Sequence, residues 1–184
     1  MASRRDLLAL LTAYSPIESD EQAARVAMLD LAAVALDPFD RTAYEPGHFT
    51  ASGFVLHPEG DRVLLIHHAK IGSWLQPGGH IDPEDSSPLR AAQREVEEET
   101  GLSGLLPLTE SIVDLDVHQF PERGDQPAHL HYDVSFAFVA PNQILTPNHE
   151  VHDAMWATFP DVMRLNPDRS MVRPIGRLLG HKAD

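Results

Sequence analysis

The sequence contains no cysteine among its 184 residues. This absence excludes a disulfide framework, a thiolate zinc site and a cysteine nucleophile. No apolar run approaches the roughly 20 residues that a membrane-spanning helix requires. The N-terminal stretch MASRRDLLALLTAY is followed by more amphipathic helix and not by a leader cleavage site. We therefore expect a cytoplasmic protein with no membrane partner.

Basic residues are also few, with 14 Lys and Arg against 28 Asp and Glu and a net charge of -14. A nucleic-acid polymer is bound by a clustered basic face, so this charge argues against such a partner. It does not exclude a small phosphorylated substrate, because metal ions can supply the local positive charge. The composition, 42% hydrophobic and 23% charged, is that of an ordinary globular domain.

Residues 1–45 predict a helical appendage made of two helices, over 4–14 and about 20–36. The second begins with the capping-box pattern Ser19-Asp20-Glu21-Gln22. Its apolar stripe must be buried against the following domain or against another subunit. The second alternative predicts a homodimer formed through residues 1–36. A packing hairpin without chemistry is the favoured interpretation. The stripe consists of Ala24, Val26, Met28, Leu29, Leu31, Ala32, Val34 and Leu36.

From residue 46 the pattern changes to strands, and we assign a second domain to 46–184. Strands that do not alternate regularly with helices indicate an α/β fold with a mixed sheet and helices on its faces. Gly78 and Gly79 predict a close turn. Strands are predicted at 49–56, 62–68 (a hairpin with the first), 74–76, about 109–119, about 129–140 and 154–157, and two short helices near 160–165 and 170–180.

One helix is well delimited, from Pro88 to about Thr100. Ser87 is a suitable N-cap, and Pro88 suits the first helical position because its missing N–H would be unpaired there. The residues that follow contain no helix breaker, and Gly101 is a natural C-terminal stop.

This helix carries four glutamates within five positions. Glu95, Glu98 and Glu99, at spacings i, i+3 and i+4, share one face, whereas Glu97 points the other way. Carboxylates in the C-terminal half of a helix face the negative end of its dipole, so a cation would relieve their repulsion. Mg²⁺ binds such oxygen ligands. The alternative is a solvated acidic face with ion pairs to Arg94.

The segment from Gly79 to Leu102 resembles the box of Nudix hydrolases, G-x5-E-x7-R-E-U-x-E-E-x-G-U with U aliphatic. The half from Arg94 to Leu102 matches at every defined position. The first half departs, because the acid is Asp85 in place of Glu and eight residues, not seven, separate it from Arg94. Reading from Gly78 puts Glu84 at the acid but widens the gap further. The resemblance implies an α/β/α sandwich over roughly 48–180.

The resemblance also implies a further acid from a loop before a Trp on the last strand. Glu150 lies in this way before Trp156, with Asp153 as the second candidate. Both acids could equally be solvated loop residues, and Trp156 is expected in the core.

Eleven histidines are present, and five flank the box or the strands beside it. His67, His68 and His80 precede or follow the glycine pair, and His129 and His131 alternate on one strand face. Two histidines at i, i+2 could bind a metal, but without a third ligand a structural or phosphate-binding role is favoured. His80 is the histidine predicted to contact phosphate.

By resemblance, the chemistry is hydrolysis of a nucleoside diphosphate linked to a moiety X. Glu95, Glu98 and Glu99 would hold Mg²⁺ or Mn²⁺, and Arg94 would orient them. Glu98 or Glu150 would accept a proton from water, and Gly78 and Gly79, with His80, would seat the phosphates. A Nudix-fold module that binds a nucleotide without cleaving it is the alternative. A diphosphate isomerase on this fold would use a cysteine, which is absent.

Overall fold

A computed structural model describes residues 1–181, and within that range there are five helices and eight strands. The helices are α1 (Arg4–Ala13), α2 (Ser19–Val34), α3 (Pro88–Thr100), α4 (Phe159–Leu165) and α5 (Arg169–Leu178). The strands are β1 (Gly47–Leu56), β2 (Val63–His68), β3 (Trp74–Leu75), β4 (Gly78–His80), β5 (Leu106–Pro107), β6 (Asp114–Phe120), β7 (His129–Val139) and β8 (Val151–Ala157).

All eight strands form one mixed sheet, so the predicted α/β fold is confirmed. Its centre is a parallel pair, β1 and β7, in register from Gly47 opposite Leu130 to Leu56 opposite Val139. The other pairings are antiparallel: β4 lies beside β1, β6 beside β7, and β8 beside β2. The predicted hairpin is present only at its closed end, where Leu56 pairs with Val63.

Two hydrophobic clusters cover the two faces of the sheet, because successive side chains of a strand point to opposite sides. Phe49, Ala51 and Val55 of β1 belong to a first cluster that includes residues of α1, α2 and α3. Phe54 and Leu56 belong to a second cluster with α4 and α5. Helices therefore lie on both faces of the sheet, as the predicted sandwich requires.

The N-terminal helices share the core of the sheet. Leu7 and Leu11 of α1, with Met28 and Leu31 of α2, are buried in the first cluster. Much of the apolar stripe is thus covered by the chain itself, although Val26, Val34 and Leu36 are exposed. The domain boundary at residue 45 stays a prediction, and the predicted end at residue 184 lies outside the described residues.

Ion pairs join α2 and β6 to α5. The Arg173 guanidinium donates to both carboxylate oxygens of Asp114, with N···O distances of 2.9 and 2.7 Å. Arg177 donates to both oxygens of Glu21 at 2.7 and 2.8 Å. Both carboxylates are buried, and removing one partner of a buried pair typically costs about 3–5 kcal/mol. The Glu21–Arg177 pair therefore joins the N-terminal appendage to α5, the last helix.

Several sequence predictions were wrong in detail. Gly78 and Gly79 are not in a turn but in β4, paired with β1. The strand expected from 109 begins at Asp114, and the last strand begins at Val151. The N-cap of α2 is Glu18, whose N–H donates to the Glu21 carboxylate at 2.9 Å, so Ser19 is the first helical residue. Within residues 1–181, no helix is long and apolar enough to cross a bilayer.

Candidate active site

The orientation of α3 follows from its ends and its buried face. The Ser87 side chain caps the Arg90 N–H, and Gly101 has a left-handed φ of 73°, which disfavours other residues. The helix packs closely on β1, since a Cβ on Gly53 would lie 2.6 Å from Val96 Cγ2. This contact holds the glutamate face of α3 at the edge of the sheet beside β4.

A cleft of about 640 Å³ lies beside α3 and β4 and extends over one face of β1 and β7. It brings together every site residue of the predicted set, from the glutamates and Arg94 to the glycine pair, His80 and Glu150. The other polar or charged residues of its lining are Arg41, Thr50, Ser52, His68, Lys70, Gln76, Asp82, His118, Arg123, Gln126, His129, His131 and Asp133.

The three glutamates on the cleft differ in exposure. The side chain of Glu99 is 3% exposed and that of Glu95 15%, whereas that of Glu98 is 57% exposed. Glu99 accepts a hydrogen bond from the Gly78 N–H at 3.0 Å. Glu97 instead accepts from Gln93 Nε2 at 2.9 Å and does not line the cleft. The predicted separation of Glu97 from the other three is therefore present.

Burial makes the carboxylates of Glu95 and Glu99 reluctant to carry charge. It raises the pKa of Glu99 to about 8, against the opposing effect of the Gly78 hydrogen bond. It also raises the pKa of Glu95, although the neighbouring Arg94 opposes this change. Clustered carboxylate oxygens that resist ionisation on their own are suited to a hard divalent cation, so the donor set fits Mg²⁺ or Mn²⁺.

Arg94 is bound on several sides. Its guanidinium donates to both Asp85 oxygens, at 3.1 and 2.9 Å, and to the His80 carbonyl oxygen at 2.9 Å. It also donates to Glu95 at 2.9 Å and lies 3.4 Å from Glu98. Asp85 therefore reaches Arg94 despite the longer spacing, because the loop before Ser87 accommodates the extra residue.

The glycine pair allows two close approaches. A Cβ on Gly79 would lie 2.7 Å from the Glu95 carboxylate carbon, and a Cβ on Gly78 would lie 2.7 Å from the Ser52 Cα. Both distances are shorter than side-chain packing allows. The glycines are needed where β4 passes between α3 and β1.

Glu150 lines the cleft, and its carboxylate forms an ion pair with Lys70. The hydrogen bond from Lys70 lowers the pKa of Glu150. The second candidate, Asp153, lies exposed on β8 and does not line the cleft. Trp156 is partly buried against the first cluster, and its Nε1 donates to the Gln143 carbonyl at 3.1 Å.

Four of the five predicted histidines line the cleft, and His67 does not. The cleft also contains residues that the sequence reasoning missed, notably Thr50 and Asp133. Thr50 Oγ1 donates to Asp133 Oδ1 at 2.8 Å across the parallel pair. A pattern in the sequence could have indicated these residues, because polar and apolar residues alternate in β1 and β7. The polar positions are His48, Thr50 and Ser52 in β1 and His129, His131, Asp133 and Ser135 in β7.

Comparison with solved structures supports the fold. The dihydroneopterin triphosphate pyrophosphohydrolase of E. coli superposes with a TM-score of 0.53 at 16% identity, over 71% of this chain and 94% of that one. An Ap4A hydrolase of C. elegans gives 0.51 at 15%, over 71% and 96%. A NUDIX-family hydrolase from Clostridium perfringens gives 0.50 at 21%, over 72% and 96%.

Sequence comparison adds the family. No curated protein sequence matches the chain. A family model described as the NUDIX domain matches residues 47–177, which extend from β1 into α5 and include the whole box. This match covers most of the chain and agrees with the resemblance seen in the box and with the fold. The chain belongs to the NUDIX family.

Proposed function

We propose that this protein is a divalent-metal-dependent pyrophosphohydrolase that cleaves a nucleoside diphosphate linked to another moiety, giving a nucleoside monophosphate and a phosphorylated product. One observation carries the proposal: Glu95, Glu98 and Glu99 of α3 line one open cleft with Arg94 and the glycine pair. Cleavage of a phosphoanhydride bond is the reaction we infer from membership of the NUDIX family, and the solved structures that share the fold include a pyrophosphohydrolase and an Ap4A hydrolase.

Glu95, Glu98 and Glu99 would hold Mg²⁺ or Mn²⁺. A bound ion would supply Lewis-acid stabilisation of the negative charge that develops on the phosphate oxygens. Arg94 keeps the carboxylates in place through its contacts to Glu95 and Glu98, while Asp85 holds Arg94 from the other side. Arg94 and Asp85 are therefore positioning residues.

Glu98 is the favoured proton acceptor. It is the most exposed of the three glutamates, and its contact to Arg94 is long, at 3.4 Å, so its carboxylate is accessible to water. Glu150 is the second candidate, but Lys70 occupies its carboxylate. Proton transfer to Glu150 would require that ion pair to open.

Three basic side chains of the cleft lining would bind the substrate phosphates. Arg41, Lys70 and Arg123 line the cleft in a chain that has only 14 Lys and Arg. Positive groups that converge in a strongly acidic protein favour a small polyanion. His80, which follows Gly79 in β4, is proposed to contact the same phosphates.

The test is release of phosphate, through a coupling phosphatase, from a panel of nucleoside diphosphate derivatives with Mg²⁺ or Mn²⁺. Wild type is compared with Glu98→Gln and with the matched control Glu97→Gln. We expect metal-dependent turnover that falls by about 10³-fold in Glu98→Gln, within the range for loss of a general base. Glu97→Gln should retain wild-type turnover, because Glu97 does not line the cleft.

A different outcome would favour the binding module. In that case no member of the panel is cleaved, yet one of them raises the melting temperature of wild type and of Glu98→Gln alike. Equal loss of turnover in Glu98→Gln and Glu97→Gln would contradict the assignment of the glutamates instead.

We also propose a homodimer formed through the exposed apolar residues at the end of α2 and just after it. Val34 is 80% exposed and Leu36 fully exposed, next to the buried positions of the same segment. Sedimentation velocity should show a dimer at micromolar concentration that dissociates in Val34→Glu/Leu36→Glu. A wild-type monomer under these conditions would contradict the proposal.

A further inference from the structure

Three histidines from three strands meet at one end of the cleft. One ring nitrogen of each of His48, His80 and His131 lies within 4.8 Å of the others. Strand pairing explains this, since His48 of β1 is directly opposite His131 of β7. His80 of β4 is opposite Thr50, two positions along the same face of β1. Residues 32 to 83 positions apart are thus brought together by the sheet alone.

His48 is the buried member of this group. It is fully buried, and its Nδ1 lies 3.3 Å from the Ala43 carbonyl oxygen, which requires the proton on Nδ1. Its Nε2 then carries a lone pair, and this buried atom has no hydrogen-bond partner in the part of the chain that the structure describes. A carbonyl that fixes one ring nitrogen and leaves the other as an acceptor is the arrangement of metal-binding histidines.

The other two imidazoles are also uncharged at neutral pH. Burial lowers the pKa of His80 to about 4 and that of His131 to about 2, and the neighbouring histidines add to both effects. Burial lowers the pKa of His48 as well. Neutral imidazole is the form that binds a metal.

We propose that His48, His80 and His131 form a Zn²⁺ site, separate from the carboxylates of α3. Imidazole nitrogens favour Zn²⁺, whereas carboxylate oxygens favour Mg²⁺. Three protein ligands leave a coordination position for water or a substrate oxygen. His80 and His131 line the cleft, so an ion held by these histidines would border it. His129 Nδ1 donates to the Pro127 carbonyl oxygen at 2.8 Å, so its Nε2 accepts from the Nε2–H of His131 at 3.1 Å, which leaves the lone pair of His131 on Nδ1.

Another cluster, His57 with Glu59 and Asp61 in the turn between β1 and β2, is the competing site. Both of its acids are exposed, with side chains 66% and 59% accessible, and they pair with Arg62. It supplies one imidazole where the strand cluster supplies three. The experiment therefore includes a control variant that removes Glu59 and Asp61.

The experiment is calorimetric titration of Zn²⁺ into the full chain carrying Glu95→Gln, Glu98→Gln and Glu99→Gln, so that the box does not compete. We expect one equivalent bound with a Kd in the micromolar range or below. Adding His131→Gln or His80→Gln should weaken binding by at least about 100-fold, because loss of a group that only supports a metal ligand already costs about 10–100-fold in affinity. The exposed His152→Gln and the pair Glu59→Gln/Asp61→Asn should leave it unchanged.

The proposal is overturned if no stoichiometric binding occurs, if both histidine variants bind as tightly as the parent, or if binding is lost with Glu59 and Asp61 instead. A second measurement needs no variant. In wild type saturated with Mg²⁺, the imidazole ¹⁵N resonances of His48, His80 and His131 should shift on addition of one equivalent of Zn²⁺, and unchanged resonances would reject the site. Neither readout depends on hydrolase activity.

Discussion

The two sides of the cleft are built in different ways. The acidic side, Glu95, Glu98 and Glu99, comes from one turn of one helix, whereas the histidine side comes from β1, β4 and β7. Burial shifts pKa values on both sides of the cleft, but in opposite directions. It raises the pKa of Glu99 to about 8 and lowers that of His80 to about 4, because each group is shifted towards its uncharged form.

The comparison teaches that burial in one cleft shifts the pKa values of an acid and of a base in opposite directions, each towards its uncharged form. Glu98 and Lys70 line the same cleft, but their side chains are more than half exposed. A metal ion that binds the neutral histidines would displace no proton from them. A metal ion that binds Glu99 would displace the proton of its carboxyl group. The following predictions separate the two sides.

The largest effect is expected from Gly79→Ala, which should disable the acidic side alone. The new methyl group would lie 2.7 Å from the Glu95 carboxylate and displace it. Misplacement by about 1 Å can cost about 100-fold in rate, so kcat/KM should fall by at least that factor. The melting temperature should stay near that of wild type, since only the end of a side chain must move.

Gly78→Ala is the matched comparison, because its methyl group would meet the Ser52 backbone in the sheet. It should lower the free energy of unfolding by about 1–3 kcal/mol. Kinetics and thermal melts of both variants check the pair. Equal destabilisation by the two substitutions would contradict our account of β4.

Asp85→Asn should have the next largest effect, through Arg94. The neutral amide can no longer form the paired ionic contacts at 3.1 and 2.9 Å, and loss of such a supporting group typically costs about 10–100-fold in activity or metal affinity. Asp82→Asn is the control, since Asp82 lies 3.5 Å from Arg94 and is 41% exposed. If Asp82→Asn costs as much as Asp85→Asn, Asp85 does not replace the glutamate of the box.

Metal binding to the acidic side should release a proton. The pKa of Glu99 in the folded protein, about 8, is above its ordinary value of 4.5. At pH 7 Glu99 is therefore mostly protonated, and Mg²⁺ binding should release close to one proton, falling towards none above pH 9. Calorimetry in buffers of different ionisation enthalpy measures this number. Glu99→Gln should abolish the release, and Glu97→Gln should not.

The raised pKa of Glu99 also makes the stability of the folded protein depend on pH. Because the folded-state pKa is raised, the contribution of Glu99 to stability in the absence of metal is present below pH 4.5 and is lost as the pH rises towards 8. Wild type should lose more stability than Glu99→Gln between these pH values. An equal loss would show that Glu99 does not titrate in this range.

Lys70→Met should have the smallest effect. Lys70 is 56% exposed and pairs with Glu150, and such pairs contribute about 0–1 kcal/mol. We expect a several-fold rise in KM from the lost phosphate contact with kcat nearly unchanged. Arg164→Met, which breaks an exposed pair with Asp161 outside the cleft, should leave KM as it is.

The acidic side was predictable because its determinants are local. Ser87, Pro88 and Gly101 delimit α3, and the bounds predicted from them are those observed. The histidine side was not, because it depends on the parallel pairing of β1 with β7 across more than 80 residues. Polar and apolar residues alternate in both strands, a pattern that was noted only for His129 and His131, and no local pattern states which strands pair. For the same reason β4 was mistaken for a turn and β5 was not predicted.

The pairing of Glu21 with Arg177 has a consequence for synthesis of the protein. The two residues are 156 positions apart, and Glu21 is fully buried. A nascent chain that lacks α5 has no Arg177 to neutralise this carboxylate, so docking of α2 would leave a charge buried without its partner. The first helices to leave the ribosome are therefore expected to be among the last to reach their final position.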